Sequence, residues 1–156
     1  MIIRELKINE TKLLDDFLYE AIFIPEGVTP PERSIIELPE LKLYYADFGN
    51  GKADHCLVAE EDGCVVGAVW TRIMKDYGHV DDATPSFAIS LYKEYRGRGF
   101  GTRLMREMLE LLHKNGYTRA SLAVQKANYA VRMYEKVGFH TIDQNEEEYI
   151  MVYDEA

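Results

Sequence analysis

The stretch Tyr95-Arg96-Gly97-Arg98-Gly99-Phe100-Gly101-Thr102 has the residue types and spacing of an anion site. An apolar segment, Phe87-Ala88-Ile89-Ser90-Leu91-Tyr92, enters it, and an amphipathic helix leaves it near Thr102. A glycine-rich turn between a strand and a helix exposes several backbone N–H groups at a positive helix end. That arrangement suits a phosphate or pyrophosphate. Glycine lets the backbone approach the anion and supplies the positive φ that such turns need. From Lys93 to Arg106 there are five basic residues and one acidic residue, in a chain of net charge −9. A basic patch on an acidic chain points to a small polyanionic ligand.

Three kinds of glycine turn bind phosphate. A P-loop needs G-x-x-x-x-G-K-[ST], and no such string is present. A dinucleotide turn needs a third glycine and, about 20 residues on, an acidic residue for the ribose. Here Thr102 stands in the third glycine's place, and the following strand, Ser121-Leu122-Ala123-Val124, carries no acid. This disfavours a nucleotide-binding oxidoreductase. The pattern that fits is Arg-x-x-Gly-x-Gly: Arg96, Gly99 and Gly101.

The elements around the turn follow from periodicity. Met1–Lys7 reads as a strand. Asn9 or Thr11 can cap a helix to about Phe23, with Leu13, Leu14, Phe17, Leu18, Ala21 and Ile22 on one face. Pro25–Pro31 is a loop, and a helical region from Ser34 to Tyr45 is interrupted by Pro39. His55–Glu60 and Cys64–Ile73 form a hairpin about Asp62-Gly63. Asp76–Thr84 is a polar connection into the strand Pro85–Tyr92. Thr102–Asn115 is the strongest helix, stopped by Gly116. Then come a strand at Arg119–Val124, a helix from Asn128 to Val137, and closing strands at Phe139–Asp143 and Glu148–Tyr153. This order predicts a mixed α/β sheet with helices packed against it, in one domain over residues 1–156.

A second motif lies in the last helix: Asn128, then Tyr134 six residues on, closing with Gly138-Phe139. With Leu91–Thr102, it makes the chain resemble the GNAT superfamily of acyl-CoA-dependent N-acyltransferases. The resemblance covers nearly the whole chain and is weakest from Glu26 to Asn50. It implies a mostly antiparallel sheet with helices on both faces, splayed where acyl-CoA binds. It implies an N-acetyltransferase moving an acetyl group from acetyl-CoA to a primary amine, by direct attack in a ternary complex. The amides of Arg98 to Thr102 would cradle the CoA pyrophosphate, with Arg96 and Arg98 adding charge and Gly97, Gly99, Phe100 and Gly101 shaping the turn. Backbone groups of Ile89, Ser90 and Leu91 would pair with the pantetheine amides, and one would polarise the thioester carbonyl. Asn128 would bond the pantetheine arm while capping its helix, and Tyr134 would protonate the departing thiolate.

The resemblance also exposes a gap. Relatives often place a glutamate on the strand entering the turn, but here Pro85, Ser86 and Phe87 stand there. The remaining candidates for a general base are His79, Asp81, Asp82 or a water relay. The missing carboxylate keeps open a second reading, a non-catalytic acyl-CoA-binding sensor or interaction module.

Composition narrows the rest. At 156 residues and 47% hydrophobic, the chain can bury a substantial core. A pI near 4.9 argues against nucleic acid as a partner. No apolar run approaches a bilayer's thickness, so no membrane partner is expected. Met1-Ile2-Ile3-Arg4-Glu5 lacks a signal-peptide layout, so the expected location is the cytoplasm. Hairpin pairing places Cys64 near Glu61, several rungs from Cys56, so two free thiols are expected. No metal site is expected. The acceptor pocket should lie among the Pro25–Pro31 loop, the region to Phe48 and the last hairpin. The closing strand near Tyr149–Tyr153 could pair across a two-fold axis as a homodimer edge.

Overall fold

The structure, a computed structural model, describes residues 1–154. Seven strands form one sheet: β1 (Ile2–Glu5), β2 (His55–Glu61), β3 (Cys64–Arg72), β4 (Ser86–Leu91), β5 (Arg119–Gln125), β6 (His140–Gln144) and β7 (Glu148–Asp154). Their order is β1-β2-β3-β4-β5-β7-β6, and only the β4–β5 pair is parallel. The helices are α1 (Leu13–Ala21), α2 (Pro39–Lys42), α3 (Phe100–Lys114) and α4 (Ala130–Val137). Short 3-10 turns lie at Ile8–Glu10, Arg33–Glu37 and Lys93–Tyr95. The expected mixed sheet with helices on both faces is what forms.

Alternation along the strands sorts side chains onto two faces. Phe87, Leu91, Ala120, Leu122 and Met151 pack under α3 and α4, meeting Leu104, Met105 and Met108. The other face carries Cys56, Val58, Ala68 and Trp70 against α1 and Ile36. α3 presents buried Leu104, Met105, Met108 and Leu112 at spacings of three and four, so its apolar stripe alone dictates which side meets the sheet.

Some boundaries differ from the sequence reading. The first helix starts later, at Leu13, because Glu10 is drawn elsewhere. Its carboxylate accepts from both Arg4 guanidinium nitrogens at 2.9 Å and from the Lys7 amide at 2.9 Å. The Arg4 bond, aided by the Lys7 amide, holds the Glu10 carboxyl down at about 2. At the C-terminal end of the sheet the edge strand is β6, not the Tyr149–Tyr153 strand. β7 buries apolar residues on both faces (Ile150, Met151, Val152), which suits an interior position, whereas every residue of β6 is exposed. Cys56 and Cys64 are both free thiols, paired in the hairpin with Trp70 and Glu61 respectively.

The segment after Pro39 is tied to the sheet by polar contacts. Trp70 Nε1 donates to the Tyr44 carbonyl at 2.9 Å. Arg72 donates to the carbonyls of Leu43 and Ala46 at 3.0 and 2.8 Å, and grips Asp54 with two further nitrogens at 3.2 and 3.0 Å. The Asp54 side chain is 2% exposed and that of Arg72 12%, so removing one partner strands a buried charge.

Arg72→Ala is expected to cost about 3 kcal/mol. In a chain of this length that lowers the thermal midpoint by roughly 6–12 °C. A midpoint within 2 °C of wild type would show that the pair does not anchor this segment.

Candidate functional site

β4 and β5 share one rung. Ser86 pairs with Ser121, and the Ser121 amide donates to the Pro85 carbonyl at 2.9 Å. Beyond that rung the two strands diverge, while β4 stays paired to β3 through Leu91. The Tyr92 amide reaches the Val66 carbonyl on the β3 side at 3.0 Å. By alternation, Ser86, Ala88 and Ser90 also turn their backbone groups toward β3, and Phe87, Ile89 and Leu91 turn theirs into the opening. This is the expected splay.

The opening runs into the glycine turn. Gly97 and Gly99 hold φ of +77° and +82°, and a Cβ at either would meet nothing within 4 Å. The requirement there is conformational, not steric. Gly99 caps α3, and the first helical bond runs from the Arg103 amide to the Gly99 carbonyl at 3.2 Å. The amides just before Arg103 are therefore free for an anion at the positive end of a 15-residue helix. Gly101 does a different job. It is buried, and a Cβ there would stand 3.0 Å from Met133 Sδ, so it sets the closeness of α3 to α4.

Several residues implied by the resemblance prove to be engaged within the chain. Arg96 donates through Nε to the Leu91 carbonyl at 2.9 Å and pairs with Glu20 at 3.2 Å, which pins the turn to β4 and α1. The Arg98 guanidinium lies 5.3 Å from the Tyr95 ring centre, and Tyr95 stacks on Phe100. Ser90 turns its backbone to β3, and its hydroxyl donates to the Phe17 carbonyl at 2.6 Å. Of the strand trio, Ile89 and Leu91 thus face the opening and Ser90 does not. Asn128 Oδ1 accepts from the Ala130 amide at 2.9 Å, so the side chain caps α4 while its NH₂ donates to no other described residue.

Tyr134 lies on α4 within the core under the sheet, 8% exposed, with its ring 6.2 Å from that of Phe139. Its hydroxyl hydrogen-bonds to no described residue. Burial, with a smaller contribution from Tyr129, pushes the phenol above its ordinary value, so it holds its proton.

The three candidate bases fare differently. Asp81 accepts from the Ala83 amide, the Thr84 hydroxyl and Arg119; the Thr84 bond leads in holding its carboxyl below the ordinary range. It is a turn anchor. Asp82 is 78% exposed beside Lys75 and His79. His79 is partly buried, with Nε2 3.3 Å from Asp82 and Nδ1 buried without a partner among the described residues.

The carboxylate that sequence reasoning missed is Asp76. It accepts from Tyr44 Oη at 2.9 Å and from Ser86 Oγ at 3.2 Å, so it sits against the shared rung. Its loop is held there by Ser121 Oγ donating to the Gly78 carbonyl at 2.8 Å. Gly78 packs so close that a Cβ would come within 3.1 Å of the Ala123 amide nitrogen. Burial raises the Asp76 carboxyl above its ordinary value, partly offset by the Tyr44 and Ser86 hydroxyls. Glu148, on the same face at the end of β7, is raised by burial and by the neighbouring Glu147 and Asp76. Of the aromatics expected around the acceptor, Tyr44 reaches this cluster. Tyr45 donates to the Ile36 carbonyl, and Phe48 lies beneath Arg72.

No group of residues suited to a metal occurs among the described residues, and no described helix is long and apolar enough to cross a membrane.

Known proteins share both sequence and fold with this chain. It is 40% identical over 133 residues to an uncharacterized N-acetyltransferase, YobR, of Bacillus subtilis strain 168, a match covering 85% of this chain and 47% of that protein. The chain spans about half the length of the curated relatives it matches. The PaiA N-acetyltransferase of Thermoplasma acidophilum, solved with coenzyme A, superposes with a TM-score of 0.69 at 21% identity, covering 98% of each chain. YncA, a putative acetyltransferase of Salmonella typhimurium solved with acetyl-CoA, gives 0.72 at 16% identity, covering 100% of this chain and 94% of that one. The family model described as acetyltransferase (GNAT) family matches residues 19–139, which take in the split strands, the glycine turn and the Asn128–Phe139 motif, and the chain belongs to that family.

Proposed function

We propose that this chain transfers an acetyl group from acetyl-CoA to a primary amine by direct attack in a ternary complex. The observation that carries the reading is the opening between β4 and β5, which runs from the Ser86–Ser121 rung into the glycine turn. Its unpaired strand edge and the free amides at the start of α3 match a long ligand with amides along its arm and a pyrophosphate at its end. Solved relatives carrying coenzyme A and acetyl-CoA support the same assignment.

Acetyl-CoA supplies the acetyl group already activated as a thioester. The amides of Arg98 to Thr102 hold the pyrophosphate, and the α3 terminus contributes about 0.3–1 kcal/mol per nearby charge. Arg96 acts by fixing the turn, and Arg98 by adding charge beside it. Ile89 presents its backbone groups and Leu91 its amide to the pantetheine arm, the Leu91 carbonyl being held by Arg96, and a free N–H among them polarises the thioester carbonyl. The Asn128 NH₂ donates to the same arm. Tyr134 gives its proton to the leaving sulfur. Burial keeps the phenol protonated and so able to donate, while making it the weaker acid. Cys56 is buried on β2, and burial pushes its thiol up, so a covalent route through it finds no support.

Calorimetric titration of the wild type is expected to give one acetyl-CoA per chain and no heat with NAD. Absence of acetyl-CoA binding by a folded sample would overturn the proposal. Gly99→Glu, which forces a side chain and a negative charge into the turn, should abolish that binding; retained affinity would show the anion site to be elsewhere. Tyr134→Phe should lower kcat by about 10²-fold or more with acetyl-CoA affinity within twofold of wild type. An unchanged kcat would remove Tyr134 from the acid role.

A further inference from the structure

An amine near neutral pH is an ammonium ion with no free lone pair, so acetyl transfer needs a group that takes a proton on the acceptor's side. We propose that Asp76 is that group, with Tyr44 and Ser86 as positioning residues. The proposal rests on the acetyl-transfer reading above.

The geometry carries it in three steps. First, Asp76 fills the place the strand leaves empty. Ser86 begins β4 where the family's carboxylate is missing, and its hydroxyl donates to Asp76 Oδ1 at 3.2 Å. A carboxylate from the preceding loop thus arrives beside the closed end of the opening. Second, Asp76 and Tyr134 lie on opposite faces of the sheet. Ser86 shares its face with Ala88 and Ser90, which pack toward α1, whereas Tyr134 is in the core beneath α3 and α4. Acceptor and cofactor would meet through the opening, each with its own proton group. Third, Asp76 is partly buried and has no cationic partner at salt-bridge distance among the described residues, so its charge is free to receive a cationic acceptor. The groups facing it are the Tyr44 hydroxyl from the segment after α2, Ser86 from β4, His79 from its own loop and Glu148 from β7.

His79 belongs to the same turn, its amide donating to the Asp76 carbonyl at 3.1 Å; one of its ring nitrogens is buried and hydrogen-bonds to no described residue, and the other lies 3.3 Å from exposed Asp82.

The protons and bonds balance. Asp76 takes the ammonium proton and releases it to solvent. The freed lone pair forms the N–C bond, and the C–S bond breaks. Sulfur takes the Tyr134 proton, and the nitrogen's second proton restores Tyr134. The products are the amide, the CoA thiol and one proton in solvent.

The test assays thiol release from acetyl-CoA between pH 6 and 10, with spermidine and an alanine-initiated peptide as acceptors. Parallel calorimetry follows acetyl-CoA alone. Asp76→Asn should bind acetyl-CoA within twofold of wild type and turn over about 10²-fold or more slowly at pH 7. The deficit should shrink toward pH 10, where the acceptor is already a free amine. Tyr44→Phe keeps the base but removes a donor to its charged form, so the acid limb of kcat/KM should move to higher pH. Asp76→Asn turning over within threefold of wild type at pH 7, or an unmoved acid limb in Tyr44→Phe, overturns the assignment. Wild type that binds acetyl-CoA but acetylates neither acceptor would overturn it too, whereas wild type that binds no acetyl-CoA fails the underlying reading instead.

Discussion

The structure turns on one broken pairing. β4 and β5 are parallel neighbours that hold a single rung, Ser86–Ser121, and then separate. Buried backbone amides need partners, so a strand edge left open in the middle of a sheet is costly unless something fills it. The sheet accepts that cost because each strand is secured on its other side, β4 by β3 and β5 by β7. What results is a passage through the sheet, with the glycine turn at one end and Asp76 at the other.

The groups around the passage are held from outside it. Arg96 fastens the turn to the Leu91 carbonyl and to Glu20, so the cradle is fixed relative to β4. Arg72 and Trp70 fasten the segment carrying Tyr44, and Tyr44 fastens Asp76. Burial acts on the two proton groups in the same direction with opposite chemical results. It keeps Tyr134 protonated, as a donor must be. It raises Asp76, which makes its carboxylate a stronger proton acceptor.

Much of this was legible in the chain. The glycine spacing, the strand before it and the stripe of Leu104, Met105, Met108 and Leu112 are local signals, and each produced the element it implied. The Cys56–Cys64 separation followed from hairpin register alone. What escaped depends on contacts distant in sequence. Asp76 lies ten residues before Ser86 in a polar loop, and no periodicity reveals that the loop folds back over β5. Its one local trace is Gly78, whose lack of a side chain permits the close pass by Ala123. Arg96 and Ser90 looked like ligand contacts because they sit in or beside the motif. Their partners, Glu20 and Phe17, belong to a helix more than 70 residues away in the chain. The order of the last two strands was also hidden, since a hairpin pairs equally well whichever strand faces β5. The apolar residues on both sides of β7 settle it.

Amide hydrogen exchange with and without acetyl-CoA tests the central claim most directly, because it reports on the backbone groups themselves. Exchange at Ile89, Leu91 and the amides from Arg98 to Thr102 is expected to slow when acetyl-CoA is added. A separate cavity of about 360 Å³, between the end of α3 and the start of β5 near Arg106, Tyr117 and Arg119, should be unaffected. Protection centred on that cavity, with the glycine turn and the β4 edge exchanging as before, would contradict it.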